Sequence, residues 1–287
     1  LKDFDVWVSD GKSASSAMMV VEGKGYYYPR GFSRDGSRLL VGEYKSINES
    51  HLYLWDFKAA KLTQLDPTDV KASYKVASFG RDNNTVYIST DREGEFAELY
   101  EVDIAKNKWR PLTRKIPWDV TGATLSDDGR TLAISINEAA VSRLYLMDTR
   151  TRRLQKVKAL GDRMVSGMKW AKKAGTLALT LNSATMPGDA FVYDPRRRKL
   201  IRWTKSELGG IDESTLASPS FFEYPSHGGK NIPAFIYKPK GKGPFPVVVA
   251  IHGGPEAQAR PFFSSLTQYL VTESKIAVIY PNVRGSN

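Results

Sequence analysis

The chain has 287 residues, a formal net charge of +11 and no cysteine, which excludes disulfides, thiolate nucleophiles and cysteine-ligated metals. Hydrophobic residues make up 41% and charged residues 25%, an ordinary globular composition that excludes wholesale disorder. No apolar run approaches the roughly 18 residues that span a bilayer, so we expect no membrane partner.

A repeat organises the chain from its N-terminal region to about residue 210. Four segments align at a shared apolar position: "FSRDGSRLLVGEY", "FGRDNNTVYIST", "LSDDGRTLAISI" and "WAKKAGTLALTL". The shared positions are Leu39, Val86, Leu132 and Leu177, which are 47, 46 and 45 residues apart. A second element recurs in phase as "HLYLWD", "ELYEVD", "RLYLMD" and "AFVYD". Its last residues are Asp56, Asp103, Asp148 and Asp194, and Asp10 of "VWVSD" lies one period earlier.

Each repeat contains several short alternating strands joined by turns rich in Asp, Gly and Asn. The Asp-Gly pairs of "RDGS" and "DDGR" suit tight turns, because glycine adopts positive φ without steric cost. A period of 40–50 residues with about four strands per unit is typical of β-propeller blades. An open β-sandwich of hairpins is the alternative, and the regular spacing favours the propeller. We therefore predict a partial propeller of about four to five blades of four-stranded antiparallel sheet.

The basic residues are scattered except in two clusters, near Arg152 and Arg197. Both clusters follow an aspartate where a turn is expected. We interpret them as solvated turns and expect no nucleic-acid partner. A nucleic-acid binder remains an alternative that salt-dependent binding would test.

The pattern changes after the repeat, so we predict three parts: residues 1–210 as partial propeller, 211–218 as linker and 219–287 as a second domain. In the second domain "SHGGK" is a hairpin tip, "FPVVVAI" and "KIAVIYP" are apolar strands, and the segment between them is a helix starting near Pro261. Its apolar face is predicted to hold Phe262, Phe263, Leu266, Tyr269 and Leu270. Hairpin, strand, helix and strand are typical of the start of an α/β domain.

The strand "VVVAI" leads directly into His252, Gly253, Gly254 and Pro255. At the carboxyl end of a parallel strand, two glycines let the main chain approach a substrate and present an N–H to it. Such an N–H can stabilise the oxyanion formed in acyl transfer. The alternative is a simple Gly-Gly turn beside a core histidine, and the order of the surrounding elements favours the oxyanion loop.

The blades followed by "FEYPSHGGKNIPAFIYKP", "VVVAIHGGPE" and "VIYPNVRGS" resemble the prolyl oligopeptidase family of serine peptidases, closest to its acylaminoacyl-peptidase and dipeptidyl-aminopeptidase branch. The resemblance implies a propeller followed by an α/β-hydrolase domain, hydrolysis of short peptides, no cofactor and a propeller that limits access to the site. It matches Gly254 to the oxyanion-hole N–H donor, His252 and Gly253 to the surrounding loop, and Arg284 and Gly285 to a structural turn beside the site.

The chain departs from the family pattern in lacking the G-x-S-x-G motif of the nucleophile. We therefore expect the Ser-Asp-His triad beyond Asn287, both ends of the chain to continue into a longer protein, and this chain alone to be inactive. The two apolar strands of the second domain should then expose apolar surface in this chain. A non-catalytic propeller that binds peptides or proteins is the alternative.

The other two histidines, His51 and His227, are interpreted as plain polar residues. No zinc motif is present in the sequence. A homo-oligomer is compatible with the sequence, and neither cytoplasm nor periplasm is excluded.

Overall fold

The computed structural model describes residues 4–67, 69–254 and 256–286. The chain folds into two compact units. The first contains Leu1–Asn137, Leu144–Lys156 and Trp170–Gly175, and the second contains Glu138–Arg143, Val157–Lys169 and Thr176–Asn287. The boundaries at residues 210 and 218 stay a prediction.

Short antiparallel sheets account for most of the repeat region. Strands β1 (Val6–Val8) and β2 (Met18–Val21) form a pair. Within the described ranges, four sheets of four strands follow, which we call blades 1 to 4. Their strands are β3 (Tyr26–Phe32), β4 (Arg38–Ser46), β5 (Glu49–Asp56) and β6 (Lys61–Gln64); β7 (Tyr74–Phe79), β8 (Thr85–Thr90), β9 (Glu98–Asp103) and β10 (Lys108–Pro111); β11 (Asp119–Leu125), β12 (Thr131–Glu138), β13 (Val141–Asp148) and β14 (Leu154–Lys156); and β15 (Met164–Trp170), β16 (Leu177–Ser183), β17 (Met186–Asp194) and β18 (Lys199–Arg202). In every blade, strands that are consecutive in sequence are neighbours in the sheet, as the repeat predicts.

The recurring aspartates terminate the third strand of each blade. Each carboxylate accepts backbone N–H groups two or three residues further on, as Asp56 does from Lys58 and Ala59 at 3.0 Å. The residue four positions after each aspartate then has positive φ, as in Arg152 and Arg198. This side-chain cap is the physical reason for the repeat of Asp before a polar turn. The two basic clusters therefore lie in turns, as predicted.

The repeat positions fill the hydrophobic cores. Leu39, Val86, Leu132 and Leu177 all have 0% exposure. One core joins blades 1 and 2 through residues such as Leu40, Leu52 and Ile88. Another joins blades 2 and 3 through Leu99 and Leu132. Blade 2 therefore covers faces of blades 1 and 3 that water would otherwise contact.

The second unit also contains a mixed sheet with one helix. Its elements are β19 (Ser220–Pro225), β20 (Asn231–Tyr237), β21 (Val247–Val249), α1 (Ser265–Thr272) and β22 (Ala277–Pro281). The strand order is β19-β20-β22-β21, in which β21 and β22 are parallel and the other pairs are antiparallel. The hairpin at residues 226–230 is confirmed, since Ser226 N–H donates to the Lys230 carbonyl. Short 3-10 turns lie at Ala14–Ser16, Lys158–Leu160, Glu213–Thr215 and His227–Gly229.

The predicted helix start at Pro261 is wrong. Helix α1 begins at Ser265, because the Ser264 hydroxyl caps it by accepting the Thr267 N–H. The predicted apolar face is also wrong: Leu266 and Tyr269 are 66% and 59% exposed, while Gln268 is buried. The Gln268 side chain turns inward because its amide forms hydrogen bonds with main-chain groups of Ala184 and Ala217. Among the described residues, no helix has the length and apolar character needed to cross a membrane.

Candidate functional site

Two loops leave the same edge of the mixed sheet. Strands β21 and β22 are parallel, with Val247 paired to Ala277 and Val249 to Ile279. Their carboxyl ends therefore lie side by side, and residues 252–254 and 282–286 emerge together. This edge is where ligands bind in α/β sheets.

A side-chain hydrogen bond joins the two loops. The Nε2 atom of His252 lies 2.8 Å from the Oγ atom of Ser286. The Gly253 carbonyl lies 3.4 Å from Nδ1 of the same ring. His252 thus ties the first loop to the second, which agrees with an orienting role and leaves the glycines free to face outward.

Gly254 has the conformation and the unused donor that an anion site needs. Its φ is +62°, and its carbonyl accepts the Ala257 N–H at 2.6 Å. A Cβ added there would meet only the Ala257 Cβ, at 3.8 Å, so the backbone conformation rather than space requires glycine. Within the described ranges, the Gly254 N–H donates no hydrogen bond, and the residue is exposed. Pro255, which completes the motif, lies outside the described residues.

Asn282 fixes the far end of the same loop. Its Oδ1 accepts the Ala259 N–H at 2.7 Å, and its Nδ2 donates to the Ala259 carbonyl at 3.0 Å. Asn282 is 5% exposed, so both bonds are shielded from water. The loop between His252 and Ala259 is therefore held at both ends by residues that follow β22.

Arg284 and Gly285 lie in the second loop, as the sequence places them. Gly285 has φ +84°, and the Ser286 N–H donates to the Val283 carbonyl at 3.0 Å. The Arg284 guanidinium packs against the hairpin tip, since a Cβ at Gly228 would lie 3.4 Å from its Nη2. No carboxylate of the described chain forms an ion pair with Arg284. Its structural role stays a prediction.

The other histidines lie elsewhere in the fold. His51 is on β5 in blade 1, and its Nδ1 lies 2.8 Å from an Asp66 carboxylate oxygen. His227 opens the turn at the tip of the β19–β20 hairpin. Among the described residues there is no group of three His, Asp or Glu side chains able to hold a metal ion.

Three polar residues with distant partners were not identified from the sequence: Asn282 and Arg260, which hold the first loop, and Gln268 on α1, which does not contact it. Asn282 directly follows the apolar segment of β22 and Gln268 lies within that of α1, whereas no local signal marks Arg260. Their partners are 23 to 120 residues away in the chain. A cavity of about 490 Å³ lies away from the two loops, lined by residues 215–218, Lys238, Lys240 and the end of α1.

Comparison with known proteins identifies the family to which the repeat region belongs. Residues 6–206 match the family described as "Prolyl oligopeptidase, N-terminal beta-propeller domain". Dipeptidyl aminopeptidase BIII of Pseudoxanthomonas mexicana is 25% identical over 217 residues, which cover 71% of this chain and 31% of that protein. A solved prolyl endopeptidase superposes with a TM-score of 0.82 at 18% identity, covering 96% of this chain and 41% of that one. A puromycin-hydrolyzing peptidase of Mycobacterium tuberculosis gives 0.81 at 18% identity, with 97% and 45% covered.

The chain spans less than half the length of each of these proteins. At such identities the solved structures show similarity of fold. Together with the family match to residues 6–206, they confirm the prediction that the four-stranded sheets are blades of a β-propeller.

Proposed function

Since this chain belongs to the prolyl oligopeptidase family of serine peptidases, through its N-terminal β-propeller domain, we propose that the whole protein hydrolyses short peptides by acyl transfer. In this proposal, residues 219–286 form the beginning of its α/β-hydrolase domain. The mixed sheet supports that assignment, because it combines an antiparallel hairpin with a parallel pair and a helix between the two parallel strands.

The observation that carries the proposal is the Gly254 N–H, exposed and without a hydrogen-bond partner in the described chain at the carboxyl edge of a parallel strand pair. A donor in that place can bind the carbonyl oxygen of a scissile peptide as it becomes negative. Removing one such donor costs about 3–4 kcal/mol of transition-state stabilisation. The loop needs no rearrangement to present it, because His252 and Asn282 hold the loop from both sides.

The chemistry proposed for this chain is stabilisation of the oxyanion. The peptide carbonyl would lie against the Gly254 N–H while a serine hydroxyl attacks its carbon, and the hydrogen bond would strengthen as charge develops on the oxygen. In this proposal, other residues of the whole protein supply the nucleophile, the base and the orienting acid. The propeller would restrict entry to short peptides.

The experiment uses the intact protein and residues 1–287 in parallel. We expect a fluorophosphonate probe to label the intact protein on one serine and to block its hydrolysis of dipeptidyl or acylaminoacyl chromogenic substrates. The 287-residue chain, handled identically, should neither turn over these substrates nor be labelled. Peptide binding by the intact protein without labelling or turnover would instead favour the non-catalytic binding module and overturn the proposal.

A further inference from the structure

A strained turn of blade 3 lies in the same compact unit as the candidate site. The turn joins β12 to β13, and residues 138–143 belong to the second unit. Ala139 and Ala140 have φ values of +48° and +68°, in the left-handed region that alanine disfavours. Interactions outside the turn must therefore stabilise its conformation.

Arg260 supplies such interactions. Its Nε donates to the Ala140 carbonyl at 3.0 Å, and its Nη2 donates to the Ser142 hydroxyl. Ala140 itself is 2% exposed and packs with Phe235 and Val278. The turn is thus held by one guanidinium and by a hydrophobic cluster of the mixed sheet.

Partial burial disfavours the charged form of the Arg260 guanidinium. Burial lowers the pKa of Arg260, and no carboxylate of the described residues lies within ion-pair distance. Arg260 is half-buried, and its neighbours are a carbonyl, a hydroxyl and the Phe262 ring, whose centroid lies 5.3 Å from the guanidinium carbon. None of these neighbours carries a negative charge, so we attribute the benefit of Arg260 to the geometry that its fork of donors imposes.

The position of Arg260 in the chain connects it to the site. It directly follows Ala259, whose N–H and carbonyl are bound to Asn282, and it lies six residues after Gly254. Residues 252–260 therefore have three fixed points: His252 on Ser286, Ala259 on Asn282, and Arg260 on the blade 3 turn. We propose that Arg260 is a positioning residue, which sets the Gly254 N–H through the blade 3 turn and so makes oxyanion stabilisation depend on a segment of the propeller. This inference rests on the proposed function.

Gln268 offers a matched comparison, because it contacts blade 4 without touching the loop. Its Nε2 donates to the Ala184 and Ala217 carbonyls at 2.9 Å, and its Oε1 accepts the Ala217 N–H at 2.7 Å. It is 4% exposed. A merely structural role predicts that losing Arg260 and losing Gln268 have the same consequences.

The test compares R260M, R260K and Q268M in the intact protein. For R260M we expect kcat to fall by about 10- to 100-fold, as for displaced catalytic groups, with KM within about threefold of the wild type. R260K should recover part of the loss, because it keeps a charge but not the fork. Q268M should lower the melting temperature while kcat stays within about threefold.

Two further measurements keep the test decisive. If R260M does not fold, S142A removes one partner from the blade side, and we expect kcat to fall by about two- to fivefold. Hydrogen exchange of residues 252–259 should accelerate in R260M and not in Q268M. An R260M enzyme with wild-type kcat, or a Q268M enzyme impaired as much as R260M, would overturn the inference.

The proposed function can fail separately. A wild-type protein that shows neither labelling nor turnover would overturn the peptidase assignment and the catalytic part of this inference with it. The physical link is tested without catalysis: unchanged exchange of residues 252–259 in R260M would show that Arg260 does not hold the loop.

Discussion

The Nε2 atom of His252 lies 2.8 Å from the Oγ atom of Ser286, across 34 residues of sequence. This bond joins the loops that follow two parallel strands. It supports the prediction that His252 orients the loop, since its ring contacts a residue of the neighbouring loop.

Removing the Ser286 hydroxyl should loosen the oxyanion loop. We expect S286A in the intact protein to lower kcat by about two- to tenfold, because one hydrogen bond of about 0.5–1.5 kcal/mol is lost. Steady-state kinetics on a chromogenic peptide measures this. The exposed Ser274, which lies beyond the end of α1, provides the control S274A. Equal kinetics for S286A and S274A would contradict the assignment.

Asn282 should matter for stability. N282A leaves the N–H and the carbonyl of Ala259 without their buried partner. We expect the free energy of unfolding to fall by about 1–3 kcal/mol. Urea denaturation of the intact protein measures the change, with N48A in the exposed β4–β5 turn as control. A loss no larger than that of N48A would show that the two bonds contribute nothing.

Asp189 should make stability depend on pH. It is 1% exposed and accepts hydrogen bonds from Thr204, Arg202 and Ser206. Burial alone would raise the pKa of its carboxyl, but these bonds outweigh it and lower the pKa. A lowered pKa means that the carboxylate contributes stability above its unfolded pKa of about 4, and that this contribution is lost as pH falls through the folded pKa.

The test of that dependence is D189N. At pH 7 we expect it to lower the free energy of unfolding by about 2–4 kcal/mol, and the difference from the wild type should shrink below about pH 4. Denaturation series at several pH values measure both effects. D162N, at an exposed position, serves as the control. A D189N deficit that persists unchanged at low pH would rule out the carboxylate as its source.

An apolar strip should make the 287-residue chain associate. Val249, Ile251 and Leu266 are 58%, 70% and 66% exposed, and β21 is an edge strand. Such an edge promotes association between chains. We expect concentration-dependent association in sedimentation velocity, reduced by V249K and not by I201K on β18. A monomer at all concentrations, or equal effects of the two lysines, would contradict this.

The sequence predicted the features that repeat or that depend on neighbours in the chain. The spacing of Leu39, Val86, Leu132 and Leu177 identified four blades because burial imposes the same demand on each. After residue 218 the predicted hairpin and parallel strands are confirmed. The predicted apolar exposure is confirmed for β21, whereas β22 is largely buried. The prediction that Leu266 and Tyr269 lie on the buried face of the helix is wrong. Gln268 lies on that face instead, because its amide forms hydrogen bonds with partners 51 and 84 residues away.

Contacts of that kind have no local pattern, so the sequence could not show them. Nothing around Arg260 indicates a bond to Ala140, 120 residues earlier. Likewise, Ala139 and Ala140 have the left-handed conformation although alanine disfavours it, because tertiary contacts set the conformation of this turn. The positive φ of Gly254 agrees with a residue type that adopts it without steric cost, and its role as oxyanion donor stays a prediction.

The most direct test of the central claim removes the Gly254 N–H. In G254P the residue has no backbone donor and cannot adopt φ +62°. We expect fluorophosphonate labelling of the intact G254P protein to slow by at least about 100-fold, while circular dichroism stays near that of the wild type. Because proline also displaces the loop, the matched control is G254A, which keeps the N–H at a φ that alanine disfavours and should be labelled faster than G254P. A folded G254P protein labelled at the wild-type rate would contradict the assignment of this N–H to the oxyanion hole.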